Sequence, residues 1–430
     1  MILKNLSWLT LAQGVRMITG LLVGTWVTRH LGPGQAGMLG TLAAIGSVVS
    51  FGAEMGLRQI LIKELSVTRD DAGVVFGTAV RMMSLLGVIA YLGSCSVIAL
   101  SADRHLLPLA LVLFASLLSN PHLAVLSRWD ASGHAGRTAR VAMGASLVAA
   151  VVRSVLLYLG KDIRWIAASI ALETFLTASM CLFWCWKQPC LRDLLLWDAS
   201  TAKRLIRQAF PLLLAHSGTL LLLRADQIMI YQLRGDVEAG IYLAATRLSE
   251  LVYAAGPMII LVFMPILTRT RETDTALYEK QRGQLFGILS AMAYGAMIFW
   301  LVAGSWLVQF MYGPEFAASA AVLMIHGLAA LPYLQGELRG VALVIEGKTM
   351  WSVRCALVAL LVNVALNFWF IPAHGAQGAA WATVIAYTVG WLLTSLVVPA
   401  LRGMGRDQAH ALLSPVWLWG TARQWRQIWS

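Results

Sequence analysis

Apolar residues in this chain run in blocks of roughly 20 to 30, broken by short stretches that collect Gly, Pro and charge. A helix needs about 20 residues to cross the hydrocarbon core of a bilayer. The blocks predict spanning helices near 8–30, 37–61, 77–101, 105–126, 141–160 and 164–186. A second set follows near 208–232, 241–267, 286–311, 316–344, 351–371 and 376–401. The longest connection, about 187–207, falls between the two sets. The expected architecture is an all-α membrane protein with about twelve transmembrane helices, in two six-helix lobes around a central cavity. The N-terminal lobe would cover 1–190, a cytoplasmic linker 191–207, the C-terminal lobe 208–402 and a cytoplasmic tail 403–430.

Composition strengthens the membrane assignment. Of 430 residues, 59% are hydrophobic and only 13% charged, with a mean hydropathy of +0.72. A soluble domain is nearer one quarter charged. The 17 Trp fit the interfacial preference of that side chain. The net charge of +12 raises nucleic acid as a partner, but the basic residues recur in short loops between apolar spans, which excludes it. Assigning Lys and Arg in loops and at span ends to the nearer side, with the N-terminus inside, places 24 on the cytoplasmic side, five outside and four deep within spans. By the positive-inside rule this predicts a multi-pass inner-membrane protein with both termini cytoplasmic. The short polar segment Met1 to Ser7 runs straight into the first span, so no cleavable signal peptide is expected. The spacing of Cys95, Cys181, Cys185, Cys190 and Cys355 matches no zinc or redox motif. The tail, with Trp417, Trp419, Trp425 and Trp429 among Arg423 and Arg426, reads as a helix lying on the membrane surface.

The four span arginines are Arg16, Arg153, Arg224 and Arg247. Each costs about 2.5–3.5 kcal/mol at the centre of a span, so all should face protein or water rather than lipid. Arg224 and Arg247 fall at one depth on adjacent spans, and Arg16 near the midplane. A guanidinium binds phosphate oxygens through paired hydrogen bonds and keeps its charge at any relevant pH. These four are therefore candidate ligands for an anionic cargo. The acids Glu54, Glu173, Asp226 and Glu250 also fall in spans, as candidate proton or sodium coupling sites. Local pairing competes with those roles. Glu54 and Arg58 are four apart and predict a self-satisfied pair, Arg247 and Glu250 are three apart, and Arg153 and Glu173 could meet across a hairpin. His216 and His326, each alone in a span, read as packed hydrogen-bonding residues.

The two halves echo each other. Leu31 to Gly37 precedes the second span as Leu233 to Gly240 precedes the eighth, the pattern of a parallel repeat. Three stretches carry a wider resemblance: Arg29-His-Leu-Gly-Pro33 with Ala36 and Gly37; Ala225 to Met229 with Ala239 to Tyr242, Ala245 to Leu248 and Pro265; and Met311 to Phe316 with Asn363, Asn367, Pro372, Gly375, Gly378 and Thr383. On these the chain resembles the Wzx-type oligosaccharide flippases of the multidrug/oligosaccharidyl-lipid/polysaccharide exporter (MOP) superfamily. The resemblance implies a cargo of undecaprenyl-pyrophosphate-linked oligosaccharide, moved by alternating access for polysaccharide biosynthesis, with a polymerase and chain-length regulator as partners. It also supports Arg16 and Arg247, since lipid II flippases of that superfamily carry arginine in corresponding parts of the first and eighth spans.

Other classes are less well matched. A drug or cation antiporter of the same superfamily wants an acidic or aromatic cavity. A membrane polysaccharide polymerase or ligase wants a large outer loop, and the outer loops here are short. No Gly-x-x-x-x-Gly-Lys-Ser/Thr loop is present for an ATP-driven pump. The expectation is a non-enzymatic transporter with no cofactor beyond a coupled H+ or Na+.

Overall fold

A computed structural model describes residues 2–67, 71–186, 190–194 and 196–413. Among the described residues the regular structure is helical. The first elements are α1 (Ile2–Glu54), α2 (Leu57–Val67), α3 (Ala72–Leu100), α4 (Leu107–Phe114), α5 (His122–Ala131), α6 (Ala135–Tyr158), α7 (Ile163–Trp186) and α8 (Cys190–Asp193). After them come α9 (Ala199–Arg234), α10 (Asp236–Thr273), α11 (Thr275–Tyr312), α12 (Ser319–Leu328), α13 (Ala330–Ile345), α14 (Thr349–Tyr387), α15 (Thr394–Val397) and α16 (Arg402–Leu413). The chain divides into two compact units. One comprises Met1–Leu31 with Met38–Ser217, the other Gly32–Gly37 with Gly218–Ser430.

Length and composition give eight helices fit to cross a membrane among the described residues, or ten if two bent pairs count as one span each. Two of these contain a reversal. A continuous α1 of 53 residues would be about 80 Å long, against a hydrocarbon core of about 30 Å. It breaks at Gly32, where φ is 70° and ψ is 173°. Contacts at the helix ends show that the chain turns back there. Trp8 lies under the Arg140 guanidinium, 5.8 Å from ring centre to carbon, and Arg58 pairs with Asp130 at the same end of α5 and α6. His30 instead reaches the Lys161 carbonyl, 3.2 Å away, at the far end of α6. In α14 the break is Gly375, with φ 57° and ψ −136°. A Cβ on Gly378 would strike the Phe370 carbonyl, although residues eight apart in one helix are separated by about 12 Å. Dividing at Gly32 and Gly375 turns ten spans into the expected twelve.

Each unit has its own apolar core. In the first, Phe76, Met83, Leu57, Leu61, Trp129 and Leu205 pack together, and in the second Phe286, Leu289, Leu334, Leu338, Tyr387 and Trp391 do. Two glycines set a close backbone crossing in the second unit. A side chain at Gly37 would collide with the Asp236 carbonyl, and one at Gly240 with the Pro33 carbonyl, so the two turns that echo each other in sequence pack directly together. Opposite Gly375, Glu238 accepts a 2.9 Å hydrogen bond from the Ala376 amide and serves the orphan donor of the restarting helix.

Several expectations need correction. The span predicted at 37–61 is interrupted at Met55 and Gly56, which have φ of 50° and 69°. This break takes Glu54 and Arg58 off one continuous helix; the Arg58 charge still acts on Glu54, but no salt bridge at contact distance joins them among the described residues. Arg58 bonds Asp130 of α5 instead, at 3.3 Å. Two residues counted as loop cations are buried: Arg282 is 5% exposed and Arg339 1%. The stretch read as linker holds α8 and the start of α9, docked on α3 through Thr78, whose hydroxyl accepts from the Asp198 amide at 3.1 Å. The first part of the predicted surface tail, α16, is held by protein: Met404, Gly405, Gln408 and Ala411 are buried. The four tail tryptophans lie outside the described residues.

Candidate functional site

The four span arginines collect in two clusters, one within each unit. In the first unit α6 and α7 form a hairpin through Gly160. Arg153 of α6 faces Ser169 and Glu173 of α7, which are one turn apart and share a face. Its Nε donates to Ser169 Oγ at 3.1 Å and an Nη to the Ser169 carbonyl at 3.3 Å. The Glu173 carboxylate lies 3.8 Å from the same guanidinium, so the pairing expected across the hairpin is present. Arg16, Thr19 and Gly20 of α1 join Ser146, Ala150, Arg153 and Glu173 around a pocket of about 130 Å³. The Arg16 side chain is exposed. Two guanidiniums against one carboxylate leave this pocket with a net positive charge, suited to an anionic oxygen.

In the second unit Arg224 of α9 lies 3.9 Å from Glu250 of α10, with both side chains partly exposed. The Arg224 Nε is buried and has no hydrogen-bond partner among the described residues. Arg247 sits one turn before Glu250, within electrostatic range of Glu250, Arg224 and Tyr312. The equal depth of Arg224 and Arg247 read from the sequence is thus a real proximity, with Glu250 in the same cluster.

Asp226, two residues beyond Arg224, points to another face and is 3% exposed. Its Oδ2 accepts from the Tyr242 hydroxyl at 2.7 Å and from the Thr383 hydroxyl, and its Oδ1 from the Asn367 amide at 2.6 Å. Asn367 also donates to Asn363 Oδ1 at 3.1 Å. Expected beside the arginines, Asp226 instead has three neutral donors as its hydrogen-bond partners. Asn367 Oδ1 is buried and unpartnered among the described residues. Asp226 is thus a buried carboxyl group held by donors from α10 and α14, and it can take up a proton. Among the described residues no group of three or more His, Cys, Asp or Glu is placed to hold a metal ion.

In the sequence, Tyr242, Asn363, Asn367 and Thr383 contribute to the family resemblance and carry no individual role. The helical spacing of Asn363 and Asn367, four apart in an apolar span, was the available signal. Nearby, His326 is 4% exposed, with Ser249 Oγ 2.8 Å from its Nδ1 and Tyr253 stacked on its ring at 5.7 Å. That is the packed, hydrogen-bonded histidine expected. The side chain of His216 lies outside the described residues, and Glu54 belongs to neither cluster.

The fold among the described residues is that of a multi-span helical membrane protein. Residues 2–271 match the family of polysaccharide biosynthesis proteins, and the chain belongs to that family. No curated protein matches it in sequence. Among solved structures, an inward-facing multidrug resistance MATE family transporter of the MOP superfamily superposes with a TM-score of 0.75 at 17% identity, over 93% of this chain and 96% of the other. The lipid II flippase MurJ, in an inward closed conformation, gives 0.74 at 13% identity, over 98% and 93%. A MOP superfamily transporter from Pyrococcus furiosus, described as having a binding pocket of reversed polarity, gives 0.62 at 16% identity, over 96% of both chains. At these identities the likeness is one of fold.

Proposed function

We propose that the protein flips an undecaprenyl-pyrophosphate-linked oligosaccharide repeat unit from the cytoplasmic to the periplasmic leaflet of the inner membrane by alternating access. It works as a translocator, not an enzyme, and hands its cargo to a polysaccharide polymerase with its chain-length regulator. The observation that carries this reading is the pair of arginine clusters, each holding two guanidiniums and one carboxylate. Arg224 keeps a buried donor free in the second unit, and Arg16 is exposed to a positive pocket in the first. A pyrophosphate linkage needs such groups. A cationic drug would be repelled by them, which disfavours an antiporter of cations. Asp226 and its cage supply the coupling site, taking a proton or sodium ion as the return step requires, with Glu250 and Glu173 tuning the arginines.

The test is transport of a lipid-linked oligosaccharide in reconstituted vesicles, read by the access of an added glycosidase to the sugar. A charge-assisted hydrogen bond contributes about 1.5–3 kcal/mol, so Arg16→Ala and Arg247→Ala should each slow export by about tenfold or more. Membrane levels of both variants should match the parent. Unchanged export in both would remove the phosphate-binding reading, and efficient export of a cationic dye instead would favour the antiporter.

A further inference from the structure

The first unit carries an open groove that belongs to neither charged cluster. The start of α9 is amphipathic. Ala202, Leu205 and Ala209 are buried in the core of the unit, while Lys203, Ile206, Arg207 and Phe210 are exposed. Between this helix and α3 lies a cavity of about 610 Å³ walled by Met55, Met82, Leu85, Leu86, Ala202 and Ile206, with Trp197, Lys203 and Arg207 also lining it. Its volume falls within the range of about 300–1,000 Å³ typical of ligand sites.

Charge sets this groove apart from an ordinary lipid-facing surface. Arg204 is used, 3.4 Å from Glu64, and so is Arg128, 2.7 Å from Asp193. Lys203 and Arg207 make no ion pair among the described residues. They stand four apart on one helix face, where like charges repel unless an anion lies between them. Trp197, 49% exposed, marks the depth of the headgroup region. The positive-inside bias assigns this end to the cytoplasm.

We propose that this groove binds an anionic phospholipid of the cytoplasmic leaflet. One acyl chain lies along Met82, Leu85, Leu86 and Ile206, and the phosphate sits between Lys203 and Arg207. A zwitterionic head would bring its own cation against these two. The lipid is then a bound companion of the transporter and not its cargo. The proposal stands whether or not the flippase reading does.

Native mass spectrometry of the purified protein, exposed in turn to phosphatidylglycerol, phosphatidylcholine and undecaprenyl phosphate at equal concentration, tests it. A basic residue at the membrane surface adds about tenfold or less to anionic lipid retention, so two should give a clear preference for phosphatidylglycerol over phosphatidylcholine. Lys203→Gln with Arg207→Gln should abolish that preference, and Lys203→Arg with Arg207→Lys should restore it. Leu85→Trp, which fills the groove, should lower retention of both phospholipids. A thermal melt of each variant shows that it is folded. Equal retention of the two phospholipids by the parent would overturn the proposal, as would a preference that survives the double Gln variant. Displacement of phosphatidylglycerol by undecaprenyl phosphate would assign the groove to cargo and overturn it too.

Discussion

Asp226 shows how much a buried residue depends on partners far away in sequence. Tyr242 is 16 residues on, Asn367 141 and Thr383 157, and all three donate to one carboxylate. Asp226→Asn keeps the shape and some hydrogen bonding, and removes the charge. We expect this variant to reach the membrane in normal amounts and to transport at a rate that ignores an imposed pH or sodium gradient. Vesicles with such gradients check it, and gradient-driven transport at the parental rate would remove Asp226 as the coupling group. Asp226→Ala, by contrast, strands the Tyr242 hydroxyl and one Asn367 N–H at about 1–3 kcal/mol each, while Thr383 can still donate to the Ala379 carbonyl, and it should lower the melting temperature as well. The sequence made Asp226 conspicuous because an acid in a span is expensive. Its partners were not legible, since neutral Tyr, Asn and Thr in apolar helices raise no comparable signal and only the fold brings α9, α10 and α14 together. Short-range reasoning failed in the opposite way at Glu54 and Arg58. Spacing of four implies pairing only along an unbroken helix, and the positive φ of Met55 and Gly56 breaks that one.

Helix boundaries were legible where glycine meets proline, as at Gly32-Pro33, and where Pro372 precedes Gly375. The docking of α16 was not, because an amphipathic helix reads alike whether its apolar face meets lipid or protein. What holds α16 is a cluster of charges at one end of the second unit. Arg282 donates two hydrogen bonds to Asp407, at 2.9 and 2.7 Å, and one to Glu346 at 2.7 Å, while Lys348 reaches Glu346 at 2.9 Å. Gln408 donates to the Trp391 carbonyl at 3.1 Å. Arg282→Ala leaves two carboxylates facing each other in a mostly buried site. Breaking such a pair costs about 3–5 kcal/mol, so thermal unfolding should begin at a clearly lower temperature and α16 should exchange its amide hydrogens faster. Burial pushes the Glu346 carboxyl up, but the Lys348 hydrogen bond and the charges of Arg282 and Lys348 outweigh it and hold the group below its ordinary 4.5. A depressed folded value means stability that is fully present above 4.5 and is lost as pH falls through the folded value. The contribution of Glu346, read as the difference between parent and Glu346→Gln melting temperatures, should therefore be constant at neutral pH and shrink only in acid. A difference that shrinks between about pH 6 and 8 would show another group at work.

For the whole molecule, the count of spans and the direction of insertion rest on different observations. The count follows from which ends meet. Arg282, Glu346 and Asp407 lie in one ion-pair cluster, so an even number of crossings must separate each from the next. Between Glu346 and Asp407 that is possible only if α14 turns back at Gly375 and the chain crosses twice. In the first unit the same reasoning links Arg58 with Asp130 and Arg128 with Asp193. Direction follows from the loops. With the buried Arg282 and Arg339 set aside, 22 basic residues remain on the assigned inner side against five outside, and the bias survives. A buried arginine answers to its partners and carries little information about insertion, which is why the count should be made on loop residues alone. Reporter fusions after Arg128, Arg192, Arg271 and Arg402 should all report the cytoplasm. A fusion at Lys161, beside His30 at the opposite end of the first unit, should report the periplasm. A periplasmic signal at Arg402 with cytoplasmic signals at the other three inner sites would mean that one reversal in the second unit does not occur in the membrane. Inversion of all five would leave the twelve crossings intact and overturn the orientation, and with it the direction proposed for transport.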